Sequence, residues 1–176
     1  MPSDRMAAVV IVLVLGAVFG VSYQVADERV FSGPDIGEYG TSHAHLYFNV
    51  VLAGEELDMG QSQFLQQADR VHFHNPDNIL HIHADGMTLG FTLRTLGLQI
   101  EDSCLAVNGT EYCGNETHSF QFYANGEQIS SYRSYEPEQG DTLVMFFGPD
   151  DAAPADEYFE QELPESLQPD APGRGV

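Results

Sequence analysis

The sequence predicts an α+β domain, a mainly antiparallel sheet with one packed helix, carried behind a single N-terminal transmembrane helix. Three observations predict it. The chain of 176 residues opens on an uncharged apolar run from Met6 to Val21. From about Thr41 to Gly148, apolar and polar residues alternate with a period of two, broken by turn dipeptides. Within that region one stretch, Thr88 to Leu96, carries leucines at helical spacing. Strands with one helix packed on a face make an α+β arrangement.

Residues 1–26 form the first element. With Ser22 to Ala26 the apolar run reaches about 20 residues, enough to cross a bilayer core of ~30 Å. The expectation is a single-pass anchor in the cell membrane, with the domain facing the cell exterior. The alternative is a cleaved signal peptide, although Gln24 and Ala26 make a poor small-x-small site. Residues 27–40 are polar and Gly-rich and read as a spacer. Residues 41–148 are the domain. Residues 149–176 are acidic and Pro-rich and read as a disordered tail with a helical turn near Tyr158.

Within the domain, Leu46, Phe48, Val50 and Leu52 share one face of a strand that starts at His45. Val71 to His74 and Ile79 to His83 read as strands joined by the turn Asn75-Pro76-Asp77-Asn78. Leu89, Leu93 and Leu96 make one helix face, and Gly97 follows where a helix ends. Two hairpin strands flank Asn108-Gly109, and Phe120 to Tyr123 leads into Asn125-Gly126. Thr142 to Phe147 is continuously apolar, as a central strand covered on both faces should be.

Charge narrows the function classes. Asp and Glu number 27 against six Arg and no Lys, a formal net charge of −21. Such a surface repels nucleic acid. Its self-repulsion is relieved in molar salt, where the Debye length falls to about 3 Å. A halophilic source is the expectation.

Cys104 and Cys113 are the two cysteines, and no C-x-x-C is present. With a two-residue turn at Asn108-Gly109, Val107 faces Thr110, Ala106 faces Glu111, Leu105 faces Tyr112, and Cys104 faces Cys113. Directly opposed Cα atoms at a non-hydrogen-bonded pair are ~4.5 Å apart, within disulfide range. The pair therefore reads as a structural disulfide of an exported protein. Asn108 and Asn115 each open an N-x-T sequon beside this hairpin, so both are glycosylation candidates.

Histidine carries the sharpest signal. Six of the seven histidines form three H-x-H pairs: His43 with His45, His72 with His74, and His81 with His83. Random placement gives about 0.3 such pairs in a chain of this composition. In a strand, residues i and i+2 point the same way, so each pair presents two imidazoles on one face. Closing the hairpin at Asn75 and Asn78 sets His72 opposite His81. Val71, Phe73, Leu80 and Ile82 then share one face, and His72, His74, His81 and His83 share the other. A slip of two residues keeps this partition, whereas a slip of one would mix the two sets, so the core selects against it. His43 and His45 join the polar face if the first strand neighbours the hairpin. Whether it does is open at the level of sequence. Convergent neutral imidazoles suit zinc or divalent copper. His118 alternates with Phe120 and Phe122 and reads as a core residue. Asp85 is the one carboxylate near the pairs, and it fits a turn or cap better than a catalytic role.

Two resemblances follow from these motifs. Phe122-Tyr123-Ala124-Asn125-Gly126-Glu127 with the later Gly140-Asp141-Thr142-Leu143-Val144 resembles the end of a β-grasp domain, over roughly residues 70 to 148. The order of H-x-H pairs, paired cysteines and Asn-Gly turn resembles a group of small membrane-anchored archaeal proteins. That resemblance implies fold and location rather than an activity. The H-x-H pairs also resemble those of cupins, but the downstream glutamate and glycine spacing is missing.

The expected function is membrane-tethered, extracytoplasmic binding of a divalent transition metal, zinc or copper, through His72, His74, His81 and His83, with His43 and His45 added. The competing expectation is a structural module that presents a sheet face to an envelope protein partner without metal. A metal-dependent enzyme ranks third, since no catalytic constellation is evident.

Overall fold

The computed structural model describes residues 36–65, 68–74 and 77–168. The expected membrane-crossing segment lies outside them. Among the described residues no helix is long and apolar enough to cross a membrane.

The elements are β1 (Ala44–Leu52), β2 (Glu55–Glu56), β3 (Val71–Phe73), β4 (Ile79–Ile82), α1 (Leu89–Thr95), β5 (Cys104–Val107), β6 (Thr110–Cys113), β7 (His118–Ala124), β8 (Glu127–Gln128) and β9 (Thr142–Pro149). The main sheet runs β3-β4-β1-β9-β7-β8, with β2 paired to β1, and β5-β6 stand apart as a hairpin. Every pairing is antiparallel except β1 with β9, which is parallel. The architecture is α+β with a mostly antiparallel sheet and one helix.

Alternation along β1 separates the two faces. Leu46, Phe48, Val50 and Leu52 enter the main core with Phe73, Leu80, Phe122, Leu143 and Met145. Leu89 and Leu93 of α1 and its C-cap Leu96 close that core, as do Leu105 and Val107 of the β5-β6 hairpin. The helix is held at both ends. The Thr88 hydroxyl accepts the Phe91 N–H. At the other end the Leu98 N–H donates to Leu93 and the Gly97 N–H to Arg94, with Gly97 at φ +71°. Gly90 lets α1 approach the turn at Arg133, where a Cβ would meet the Arg133 carbonyl oxygen at 2.8 Å.

Both Asn-Gly turns form as their sequences require. Asn108 and Gly109 take φ of 53° and 75°, and Asn125 and Gly126 take 53° and 83°. The β5-β6 register sets Cys104 opposite Cys113, and their disulfide closes with Cα atoms 4.1 Å apart. At the second turn, Asn125 donates to the Asp141 carboxylate at 2.7 Å and accepts the Thr142 N–H at 2.9 Å. These bonds tie the β7-β8 turn to the start of β9, which gives the N-G-E and G-D motifs a structural reason.

The stretch after Pro149 corrects the composition-based expectation of a disordered tail. As far as Gln168 it packs on the second face of the sheet. Tyr158 and Phe159 cover a smaller cluster of Val51, Tyr123, Val144 and Phe146. A buried amide adds polar contacts to this cover. Asn49 is fully buried on that face, and its Nδ2 donates to the Tyr158 carbonyl at 3.1 Å. The Tyr47 hydroxyl donates to the Glu162 carbonyl, and Gln139 donates to the carbonyl of Leu167. Acidic, Pro-rich chain is held here by apolar contacts of Tyr158 and Phe159, and it pairs the polar groups that it covers.

Candidate metal centre

The residues upstream of β1 and the end of β4 build the site together. His83 lies just past β4. Its N–H donates to the Arg70 carbonyl at 2.8 Å, and its carbonyl accepts the Gly40 N–H at 2.7 Å. Gly37 bonds back to the Asp85 carbonyl at 2.9 Å. Residues 36–40, expected to be spacer, are therefore laid against the hairpin. Asp85 acts here through its backbone: its N–H donates to the Thr41 hydroxyl, and its side chain is exposed.

The hairpin register pairs His72 with His81, Phe73 with Leu80 and Val71 with Ile82. β1 neighbours the hairpin and pairs His45 with His81. This settles the adjacency that the sequence left open, and all six paired histidines converge at one corner of the sheet. Ring centroids lie 4.7 Å apart for His43 and His83, 4.5 Å for His45 and His81, 4.6 Å for His72 and His74, and 4.3 Å for His74 and His81. His72 and His83 are 5.1 Å apart.

Two trios place their ring nitrogens within 4.8 Å of one another: His43 with His81 and His83, and His72 with His74 and His83. His43 and His74 are exposed, while His72, His81 and His83 are half-buried. His45 is buried at 3% exposure and belongs to neither trio. It supports the cluster from below.

Protonation favours ligation. Burial holds His81 down to about 3, with the neighbouring imidazoles of His45, His74, His72 and His83 adding to the shift. His83 is lowered for the same reasons, burial first and then His43, His72 and His74. Both rings are neutral at pH 7, the form that binds metal. His72 Nδ1 lies 2.7 Å from the Ala68 carbonyl, which can only accept, so Nδ1 carries the proton. The lone pair is then on Nε2, which accepts a hydrogen bond from the His74 Nε2–H at 2.9 Å. Two nitrogens bound to one ion at ~2.0–2.1 Å sit ~2.9–3.4 Å apart, depending on the bond angle. An ion that replaces this shared proton, with His74 protonated on Nδ1 instead, would find the two nitrogens at a distance it can bridge. A carbonyl that fixes the tautomer of a ligating histidine is the usual outer support of such sites.

Other sequence-predicted residues lie elsewhere. Cys104 and Cys113 sit near Glu111, but both sulfurs are committed to the disulfide. His118 pairs with Pro149 at the far end of β9 from the cluster. It is half-buried rather than core, and its Nδ1 lies 2.9 Å from the Thr117 hydroxyl. Its position at the start of β7 leaves the ring uncovered on one side. Asn108 is exposed and accepts from Gln63, and Asn115 is exposed and caps the Thr117 and His118 N–H groups.

Sequence reasoning missed Tyr39. It is 62% exposed, and its ring is 5.4 Å from that of His83. No periodicity marks it, because it lies in the irregular segment before β1. The Ala68 carbonyl was equally invisible, since a backbone oxygen leaves no trace in side-chain spacing.

No protein-family model, curated protein or solved structure matches this chain.

Proposed function

We propose that the domain binds a divalent transition metal, zinc or copper, through the imidazoles of His72, His74, His81, His83 and His43, with His45 as support. The observation that carries this reading is the convergence of three H-x-H pairs from three strands on one corner. The neutral state of His81 and His83 and the fixed tautomer of His72 support it further. Donors are all nitrogen, which favours imidazole-binding divalent ions over monovalent copper. Each trio would leave a coordination position open, as suits capture and release better than a closed structural site.

The same reading places the domain outside the cell, tethered by residues 1–26, in a halophilic, archaeal setting. The Cys104–Cys113 disulfide supports an oxidising compartment, and Asn108 and Asn115 would be accessible to glycosylation there. We also read the sheet as β-grasp-like. The helix that follows the β1-β4 pairing, the β7-β8 hairpin and a last strand set against the first support this. On that reading the arrangement begins at β1, earlier than the motif near residue 70 suggests.

The test is direct. The full-length chain, purified in molar salt and dialysed against zinc or copper, is analysed for bound metal beside the double variant His72→Ala/His81→Ala. Stoichiometric metal in the wild type and its loss in the variant is the expected result. No stoichiometric metal at neutral pH, or equal content in both proteins, overturns the reading.

A further inference from the structure

We propose that the histidine corner is two overlapping three-imidazole sites hinged on His83, which hold one metal ion at a time and let it move between two openings. The inference rests on the metal-binding reading above and adds a stoichiometry and a route.

The geometry argues for a shared hub. His83 is the one residue common to both trios, the one with His43 and His81 and the other with His72 and His74. Its main chain is clamped on both sides, by the Arg70 carbonyl and by the Gly40 N–H. The His43 and His72 rings lie 4.7 and 5.1 Å from it. A neutral imidazole has one lone-pair nitrogen. His83 can therefore complete one trio or the other, but not both. Bridging two ions would require imidazolate, which the ring reaches only by losing its remaining N–H proton. Two dications held a single imidazole apart would also repel strongly.

The same geometry gives a path. Each trio has one exposed member, His43 in one and His74 in the other. The half-buried members His72 and His81 are directly paired across the β3-β4 ladder, with rings 5.9 Å apart and nearly parallel at 9°. An ion held by His83 can exchange His43 and His81 for His72 and His74 one ligand at a time. It never has to leave the protein. One opening can then receive an ion while the other presents it to an acceptor.

Titration with zinc, and with divalent copper followed by electron paramagnetic resonance, tests this on the full-length chain. The wild type is expected to take one ion. His43→Ala and His74→Ala each spare one trio, so each should take one ion with affinity within about tenfold of wild type. His83→Ala, His83→Gln and the double variant His43→Ala/His74→Ala should each lose at least about 100-fold. The two His83 replacements guard against a folding artefact, and thermal unfolding of each protein checks the fold. Two ions per wild-type chain, or wild-type affinity in both His83 variants, overturns the shared hub. Loss of binding in only one of His43→Ala and His74→Ala means one fixed site and overturns the second position. A wild type that binds no ion defeats the metal reading itself.

Discussion

The two faces of the main sheet are built from alternate residues of the same strands, yet they are closed in different ways. One face is sealed by α1 and the β5-β6 hairpin over leucines and phenylalanines. The other is covered along part of its length by residues 150–168, held through Asn49, Tyr47 and Gln139, and is left open where the histidines gather. The difference separates stability from chemistry. Burial on the first face fixes which side chains share a face, and the pairing delivers the imidazoles to the second.

That separation can be broken in four places. The largest effect belongs to Phe48→Ala, which empties a fully buried site on the sealed face. It should cost ~3–5 kcal/mol in denaturant unfolding, whereas exposed His74→Ala should change stability by less than ~0.5 kcal/mol. Comparable losses in the two variants would mean that the faces do not divide as described.

The Cys104–Cys113 staple comes next. The double variant Cys104→Ser/Cys113→Ser releases a link of sequence separation 9, for an expected loss of about 2–3 kcal/mol. Zinc affinity should be unchanged, because the hairpin covers the other face. A parallel fall in zinc affinity would couple the two faces.

Phe159→Ala probes the C-terminal cover. Its ring lies 5.9 Å from Tyr123 and is half-buried, so the loss should be about 1–2 kcal/mol, below that of a core phenylalanine. No change in the unfolding midpoint would mean that this segment contributes nothing to the second face.

The smallest effect is in pH. Unfolded, His81 takes up a proton near its ordinary value of 6.5; folded, it resists until about 3. Between those values the unfolded chain binds more protons, so this residue lowers stability as pH falls through that window and has no effect above it. Partial exposure screens the shift. The apo protein should therefore show a slightly steeper acid-side fall in unfolding midpoint than His81→Gln does. The difference should begin near 6.5, and superimposable profiles would contradict the burial of His81.

Much of this was legible in the sequence, and for a definite reason. Alternation in β1, β3 and β4 fixes which side chains share a face, and the Asn-Gly turns fix two registers. The Cys104–Cys113 pairing follows from the Asn108-Gly109 turn, and the His72–His81 pairing from alternation once the hairpin closes at Asn75 and Asn78. What stayed illegible depends on contacts distant in sequence. Nothing local says that β1 lies between β4 and β9. Residues 150–168 are held by contacts far apart in sequence, such as the buried Asn49 amide that bonds Tyr158 at a separation of 109. Composition averages over the segment and cannot register one such bond. His118 was misplaced because alternation gives the face of a residue but not whether the strand end is covered. Tyr39 and the Ala68 carbonyl belong to irregular chain, where no period exists to read.

The central claim is that these histidines share a metal ion, and X-ray absorption at the zinc or copper edge of the loaded full-length chain tests it most directly. The expected spectrum has nearest neighbours of nitrogen and oxygen at ~2.0–2.1 Å, with more distant scattering from about three imidazoles. That imidazole scattering should fall in His83→Ala. A shell of oxygen alone, or a spectrum unchanged by the loss of His83, would contradict it.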